Sequence, residues 1–447
     1  MSIPNDFIWG AATSAYQIEG AAYQDGKGLS VWDMMCRRPN AVSGNHNGDV
    51  ACDHYQKYKE DIALMKSLGI KGYRFSLSWP RILPDGVGAV NQKGLDFYSR
   101  LVDELLANGI TPYVTLFHWD FPYELYCRGG WLHENSSNWF ADYTKVVMEH
   151  LSDRVQNWIT LNEPQCYMQF GHLEGIHAPG DKMIFSQVLM AGHNTLLAHG
   201  KSFKMIQSYA KSRPNIGYAP VGFVCVPERN TPEDILAAEK ATFKCELSNV
   251  LNNTWWMDPV LLGTYPEDGL KLYEQYLPKI GPEDMSIIQT DIDFLGLNIY
   301  HGTVVGESSL SNTMHHFPLT SFGWPVVPES LYWGPKFFYN RYKKPIMITE
   351  NGMANTEWPS LDGAVHDPQR IDFMTRYLRE LRTVIEEGIP VKGYFHWSLM
   401  DNFEWAQGFS KRFGLIYVDF HNQKRILKDS AYWYRNLITS NGGALFA

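Results

Sequence analysis

Three times along this chain a helical stripe of apolar residues stops at a Gly-Ile pair and gives way at once to strand-forming residues. The stripes are Tyr58, Ile62, Met65 and Leu68; Leu95, Tyr98, Val102 and Leu105; and Ile371, Met374, Leu378, Leu381 and Ile385. Each keeps the three-or-four spacing of one helix face. The pairs that follow are Gly69-Ile70, Gly109-Ile110 and Gly388-Ile389. Glycine takes the left-handed conformation that closes a helix, and the next apolar residue packs back on the last turn. The strand-like runs then cover 72–77, 112–117 and 391–397. A helix passed through a tight turn into a buried strand is the joint of a parallel α/β sheet.

Five more runs read as strands, at 7–10, 157–162, 216–219, 292–298 and 345–350, which brings the number to eight. A length of 447 residues would allow about three average domains. Yet no Ser/Gly-rich linker or low-complexity tract divides the chain. Gly and Pro gather instead in long connections around 25–50, 170–182 and 300–335. The pattern predicts an α/β fold: one eight-stranded (β/α)8 TIM barrel with long βα loops, a single catalytic domain over 1–447.

Composition narrows the partners. The net charge of −9 opposes a nucleic-acid partner, which needs a concentrated basic face. No run of 18 apolar residues is present, so no membrane span is expected. Cys36, Cys52, Cys127, Cys166, Cys225 and Cys245 show no C-x-x-C pair or metal-ligand spacing. The first residues lack a basic segment followed by an apolar stretch. Together these features predict reduced thiols in a cytoplasmic protein without a signal peptide. The 15 tryptophans serve mostly as core, with some left to line a groove for sugar rings. His315-His316 and His193/His199 are the closest histidine groupings, and neither has metalloenzyme spacing, so no metal is expected. No Gly-rich phosphate loop follows a strand, so no nucleotide cofactor is expected either.

Barrel chemistry sits at the C-terminal strand ends. Those ends carry Arg74, His118-Trp119, Asn162-Glu163, Asn298 with Tyr300, Glu350 and Trp397. Glu163 and Glu350 both close an apolar strand run, the fourth and the seventh, whose ends face each other across the barrel mouth. Glycosidic cleavage needs one protonated carboxyl to assist the leaving oxygen and one carboxylate to meet the oxocarbenium-like centre. A lone strand-end glutamate more often caps a helix or pairs with an arginine. Two at facing ends point to chemistry.

The residues around them resemble glycoside hydrolase family 1 over essentially the whole chain, from Phe7 to Tyr434. The motifs are Thr-Leu-Asn-Glu-Pro at 160–164 and Ile-Thr-Glu-Asn-Gly at 348–352. Supporting stretches lie at 15–20, 73–81, 118–120 and 396–405. The resemblance implies a retaining β-glucosidase acting on terminal β-D-glucosyl residues of oligosaccharides, cellobiose among them, or of aryl and alkyl glucosides. It implies Glu163 as acid/base and Glu350 as nucleophile. Gln17, His118, Asn162, Glu404 and Trp405 should hydrogen-bond the sugar's hydroxyls, and Trp119, Asn298 and Tyr300 also belong to the substrate site. Trp397 should form the platform beneath the ring and Trp324 should stack on the leaving group. Arg74, Asn298 and Tyr300 should hold Glu350 ionised. Two positions depart from common family usage, Gln165 after Asn-Glu-Pro and Tyr123 after His-Trp-Asp, and both bear on the leaving-group side. Two rivals follow from the same resemblance. A 6-phospho-β-glycosidase would not keep a carboxylate at Glu404, which repels phosphate. A non-catalytic sugar-binding barrel would lose one of the two glutamates. A thioglucosidase would carry Gln at the acid/base position. The expected partners are small β-glycosides.

Overall fold

The computed structural model describes residues 3–306 and 317–446. Eight parallel strands close into a barrel: β1 (Ile8–Ala12), β2 (Gly72–Ser76), β3 (Thr111–Phe117), β4 (Asn157–Asn162), β5 (Asn215–Ala219), β6 (Phe294–Asn298), β7 (Ile346–Asn351) and β8 (Val391–Trp397). Each strand pairs with its neighbour in chain order, and β8 returns to β1 with Ala12 beside Trp397. These strands lie within two residues of the bounds expected from apolar runs.

The three joints form as the Gly-Ile pairs predict. Helices His54–Ser67, Gln92–Ala107 and Pro368–Glu386 end before Gly69, Gly109 and Gly388, whose φ values are 72°, 70° and 94°. The amides of Ile70, Ile110 and Ile389 donate back to the carbonyls of Met65, Leu105 and Val384. That six-residue closure satisfies helix-end carbonyls and turns the chain directly into the strand. One stripe needs amending. Ile371 is only half-buried, and the third helix buries Phe373 and Tyr377 instead, beside Met374 and Leu378.

Inside the barrel Tyr113, Ile159, Ala219, Phe294, Met347 and Phe395 form a packed plug. Larger core layers lie between strands and helices. Two short pairings fall outside the eight strands. Val224–Pro227 runs parallel to Gly302–Val305, and Ile416–Asp419 runs antiparallel to Lys424–Leu427. Sequence periodicity did not pick out these four segments. The first of these pairings stands above the strand ends, in the loops that follow β5 and β6.

Candidate active site

Glu163 follows the last residue of β4 directly and is held at φ 46°, ψ 63°. Trp119 (φ 80°) and Trp405 (φ 47°) share this left-handed conformation. It is uncommon for bulky side chains and persists where the surroundings over-determine it. All three residues line one cavity of about 490 Å³ at the C-terminal end of the barrel. Glu350, Tyr300, Trp397 and Glu404 line it as well.

The two glutamates have opposite surroundings. Glu350 Oε1 accepts from Arg74 Nη1 at 2.5 Å, and Oε2 accepts from Tyr300 Oη at 2.6 Å. Burial pushes its carboxyl up, and the Arg74 charge and the Tyr300 hydrogen bond pull it back. Among the described residues Glu163 has no ion pair, and the Arg74 charge acts on it only weakly. Its Oε1 accepts from Asn298 Nδ2 at 2.7 Å. Burial first, and then the Glu350 charge, push its carboxyl up to about 8, against weaker help from Asn298 and the Cys166 thiol. One carboxyl is therefore held ready to donate a proton while its neighbour is held by a cation.

Asn298 serves both glutamates. Its Nδ2 donates to Glu163 Oε1 and to Asn162 Oδ1, its Oδ1 accepts from Thr349 Oγ1, and a side-chain hydrogen bond from it also lowers the Glu350 carboxyl. Register still places it beside Glu350 on β7, and it favours the ionised form of both glutamates. Asn162 acts as a junction. Its Oδ1 accepts from Arg74 at 2.6 Å and from Asn298 at 3.0 Å, and its Nδ2 meets His118 Nε2 at 3.1 Å. Gln17 is likewise engaged with Ser14, Asn402 and the Phe403 carbonyl. Gln17 and Asn162 are both fully buried, and Asn162 bonds His118 and Asn298, which line the cavity.

Among the polar atoms that wait for a partner are His118 Nδ1 and Glu404 Oε2, both buried without one. Burial, with Arg74 nearby, keeps the imidazole neutral. Burial, then Glu350 and Glu163, push the Glu404 carboxyl up to about 8. His118 lies flat against Trp397 and Trp405, with ring centroids 5.8 and 5.9 Å apart. The Trp119 indole donates to the Asn162 carbonyl at 3.0 Å and packs on Trp405 at 4.6 Å. Trp324 packs on Phe322 at 4.3 Å and near Tyr300 at 5.1 Å. The result is a pocket of aromatic faces and a few convergent polar groups, which is what a pyranose presents in reverse.

Tyr123 is not part of this cavity. It stacks on Tyr126 in the short helix Tyr123–Cys127. Gln165 is fully buried beneath the cavity wall. Cys166, Phe170, Ile176, Val221, Phe223 and His301 line the cavity without having been foreseen. Only Cys166 carried a signal, three residues beyond Glu163 on the same helical turn. His193 bonds Tyr265 and Asp284, and His199 bonds Thr160 and Thr290. His315-His316 lie outside the described residues. Among the described residues no group of three His, Cys, Asp or Glu could hold a metal, and no helix is long and apolar enough to cross a membrane.

Comparison with known proteins agrees with this geometry. The family description "Glycosyl hydrolase family 1" matches residues 1–443. The chain belongs to glycosyl hydrolase family 1. Beta-glucosidase A of Thermotoga maritima is 46% identical to this glycoside hydrolase over 445 residues, 98% of each chain. The 1,4-beta-D-glucan glucohydrolase of Thermotoga neapolitana is 45% identical, again over 98% of each. The structure of the Thermotoga maritima beta-glucosidase in complex with glucoimidazole superposes with a TM-score of 0.92, at 46% identity and 99% coverage of both chains.

Proposed function

We propose that this family 1 hydrolase is a retaining β-glucosidase, with Glu163 as acid/base and Glu350 as nucleophile. It releases terminal non-reducing β-D-glucosyl residues from oligosaccharides or from aryl and alkyl glucosides. The observation that carries the assignment is the asymmetry of the two buried carboxyls, a cation and a phenol on Glu350 and, among the described residues, no ion pair on Glu163. In the first step Glu350 attacks the anomeric carbon and Glu163 gives its proton to the departing oxygen. In the second, Glu163 takes a proton from water as that water displaces Glu350, so the configuration is retained. Chain 1–447 acts as one catalytic unit in the cytoplasm.

Among the described residues no Lys or Arg lines the cavity, so the phospho-sugar alternative finds no cation there for a dianionic phosphate, and Glu404 lies in it with Oε2 unpartnered. Lys411, the nearby cation in sequence, donates to the Ser321 carbonyl and does not line the cavity.

Azide separates the two roles by stereochemistry. Glu350→Gly opens the lower face of the ring, so added azide with an activated dinitrophenyl β-glucoside should give the α-glucosyl azide. Glu163→Ala opens the upper face after the covalent intermediate has formed, and azide should give the β-glucosyl azide. Both variants should be slow without azide, since each lacks a group that acts in bond breaking. Reversed anomers would exchange the two roles, and α-glucose as the first product of the wild type would end the retaining mechanism.

A further inference from the structure

Past Glu163 the cavity runs outward along the loop that follows β5. Val221, Phe223 and Cys225 are half-buried along it, while the alternate Gly222, Val224 and Val226 are buried. This two-residue alternation turns one row of side chains toward the cavity. The row is fixed by hydrogen bonds at every step. Val221 is gripped from both sides by the Gln165 amide: its N–H donates to Oε1 at 3.3 Å, and its carbonyl accepts from Nε2 at 3.2 Å. The Gly222 amide donates to the Asn298 carbonyl at 2.9 Å. Phe223 is paired through both backbone groups with Asn253. From Val224 onward the segment pairs with Gly302–Val305.

Phe170, Ile176, Phe322 and Trp324 add further apolar lining. Ile176 is 50% exposed at this mouth. Away from the sugar end, the polar side chains lining the cavity are reduced to His177, His301, Thr303 and Gln407. His177 is half-buried, and desolvation lowers its pKa to about 4, so it brings no charge to the outer cavity near neutral pH.

We propose that Gln165 is a positioning residue that holds this apolar wall, and that the wall selects a planar apolar leaving group, as in an aryl β-glucoside, over a second sugar. The proposal rests on the glucosidase reading above and adds to it the class of aglycone. A flat aromatic ring gains by leaving water for such a surface. The hydroxyls of a second glucose lose hydrogen bonds there that few wall groups replace. Gln165 contributes from behind: one buried amide satisfies a donor and an acceptor of Val221, which an apolar residue at that place cannot do.

Thio-linked analogues, used as competitive inhibitors, test binding apart from leaving-group acidity. Methyl and phenyl thio-β-D-glucosides and thiocellobiose would be compared against a nitrophenyl glucoside. The phenyl compound should bind at least about tenfold tighter than thiocellobiose. Gln165→Leu should raise the phenyl Ki by roughly fivefold or more while the methyl Ki stays within about twofold. General loosening of the fold would move both. Phe223→Ser, on the half-exposed row, supplies a second variant in case Gln165→Leu folds poorly, and it should shrink the phenyl advantage in the same way. Equal affinity for thiocellobiose and the phenyl compound would overturn the proposal, as would parallel movement of the phenyl and methyl constants. Failure of the methyl compound to inhibit at all would instead remove the glucosidase reading.

Discussion

Glu404 shows how much a single side chain costs this fold. It is buried, its Oε2 has no partner, and it shares the cavity with two other carboxyls. With the folded carboxyl near 8 against an ordinary 4.5, the native state keeps a proton that the unfolded chain releases between those values. The stability from that proton is complete below about pH 4.5, drains as pH rises, and is gone above about 8. Glu404→Gln, which never ionises, should therefore stabilise the protein by on the order of 2 kcal/mol at pH 8, raising Tm by about 1–3 °C, and change nothing at pH 4. Glu404→Ala, which removes both oxygens, should lower kcat/KM on nitrophenyl glucoside by roughly two orders of magnitude, because a site shaped for a hydroxyl's donor loses its acceptor. Thermal scans of the Gln variant at the two pH values, and kinetics of the Ala variant, check both halves. A Tm gain equal at both pH values would show that titration is not its source. Identity at this scale was legible from motifs, which named Glu163, Glu350 and Glu404, the three carboxyls that the cavity brings together. Hydrogen-bond direction was not. Asn298 donates to Glu163 and accepts from Thr349, and Asn162 accepts from Arg74, because those partners come from other strands.

At the scale of elements, the site depends on how closely strand ends approach. Gly352 follows β7 directly, and a Cβ there would stand 1.8 Å from the Trp397 carbonyl oxygen at the end of β8. Backbone cannot yield as a flexible side chain can. Gly352→Ala should separate the two ends, move Glu350 relative to Trp397, and lower kcat/KM by about a hundredfold. Gly388→Ala is the contrasting case. No atom lies within 4 Å of its Cβ, and only its φ of 94° opposes the change. It should cost about 1 kcal/mol with kcat/KM unchanged. Urea midpoints and kcat/KM for the pair decide the matter, and wild-type kinetics in Gly352→Ala would mean that the β7 and β8 ends move freely. The Gly-Ile joints and the eight strands could be read along the chain because each rests on local periodicity and local turn chemistry. The Val224–Pro227 pairing could not, since its partner lies nearly eighty residues away.

Across the whole molecule, a buried set of charges ties the C-terminal part together. Lys428 pairs with Glu357 and with Asp401, Arg412 pairs with Asp401, and Arg370 pairs with Asp367 and Glu357. These residues come from the loop after β7, the helix Pro368–Glu386, the loop after β8 and the C-terminal end of the chain. The same β8 loop carries Glu404 and Trp405. Lys428→Met should cost about 3–5 kcal/mol, because it leaves buried carboxylates short of a cation. Adding Glu357→Gln should cost less than that change costs alone, since the group left uncompensated is then neutral. Urea unfolding of the two single variants and the double variant measures this, and strict additivity would show that the charges act independently.

By itself the sequence determined the barrel, the strand ends and the family, because these follow from repeated local patterns and from motifs whose residues are contiguous. Only the tertiary structure decided that Glu163 takes a hydrogen bond from Asn298, which polar atoms wait unpartnered in the cavity, and that Gln165 grips Val221. Each of these depends on groups tens to hundreds of residues apart meeting at hydrogen-bond distance in a dry interior, where partner and burial set the chemistry.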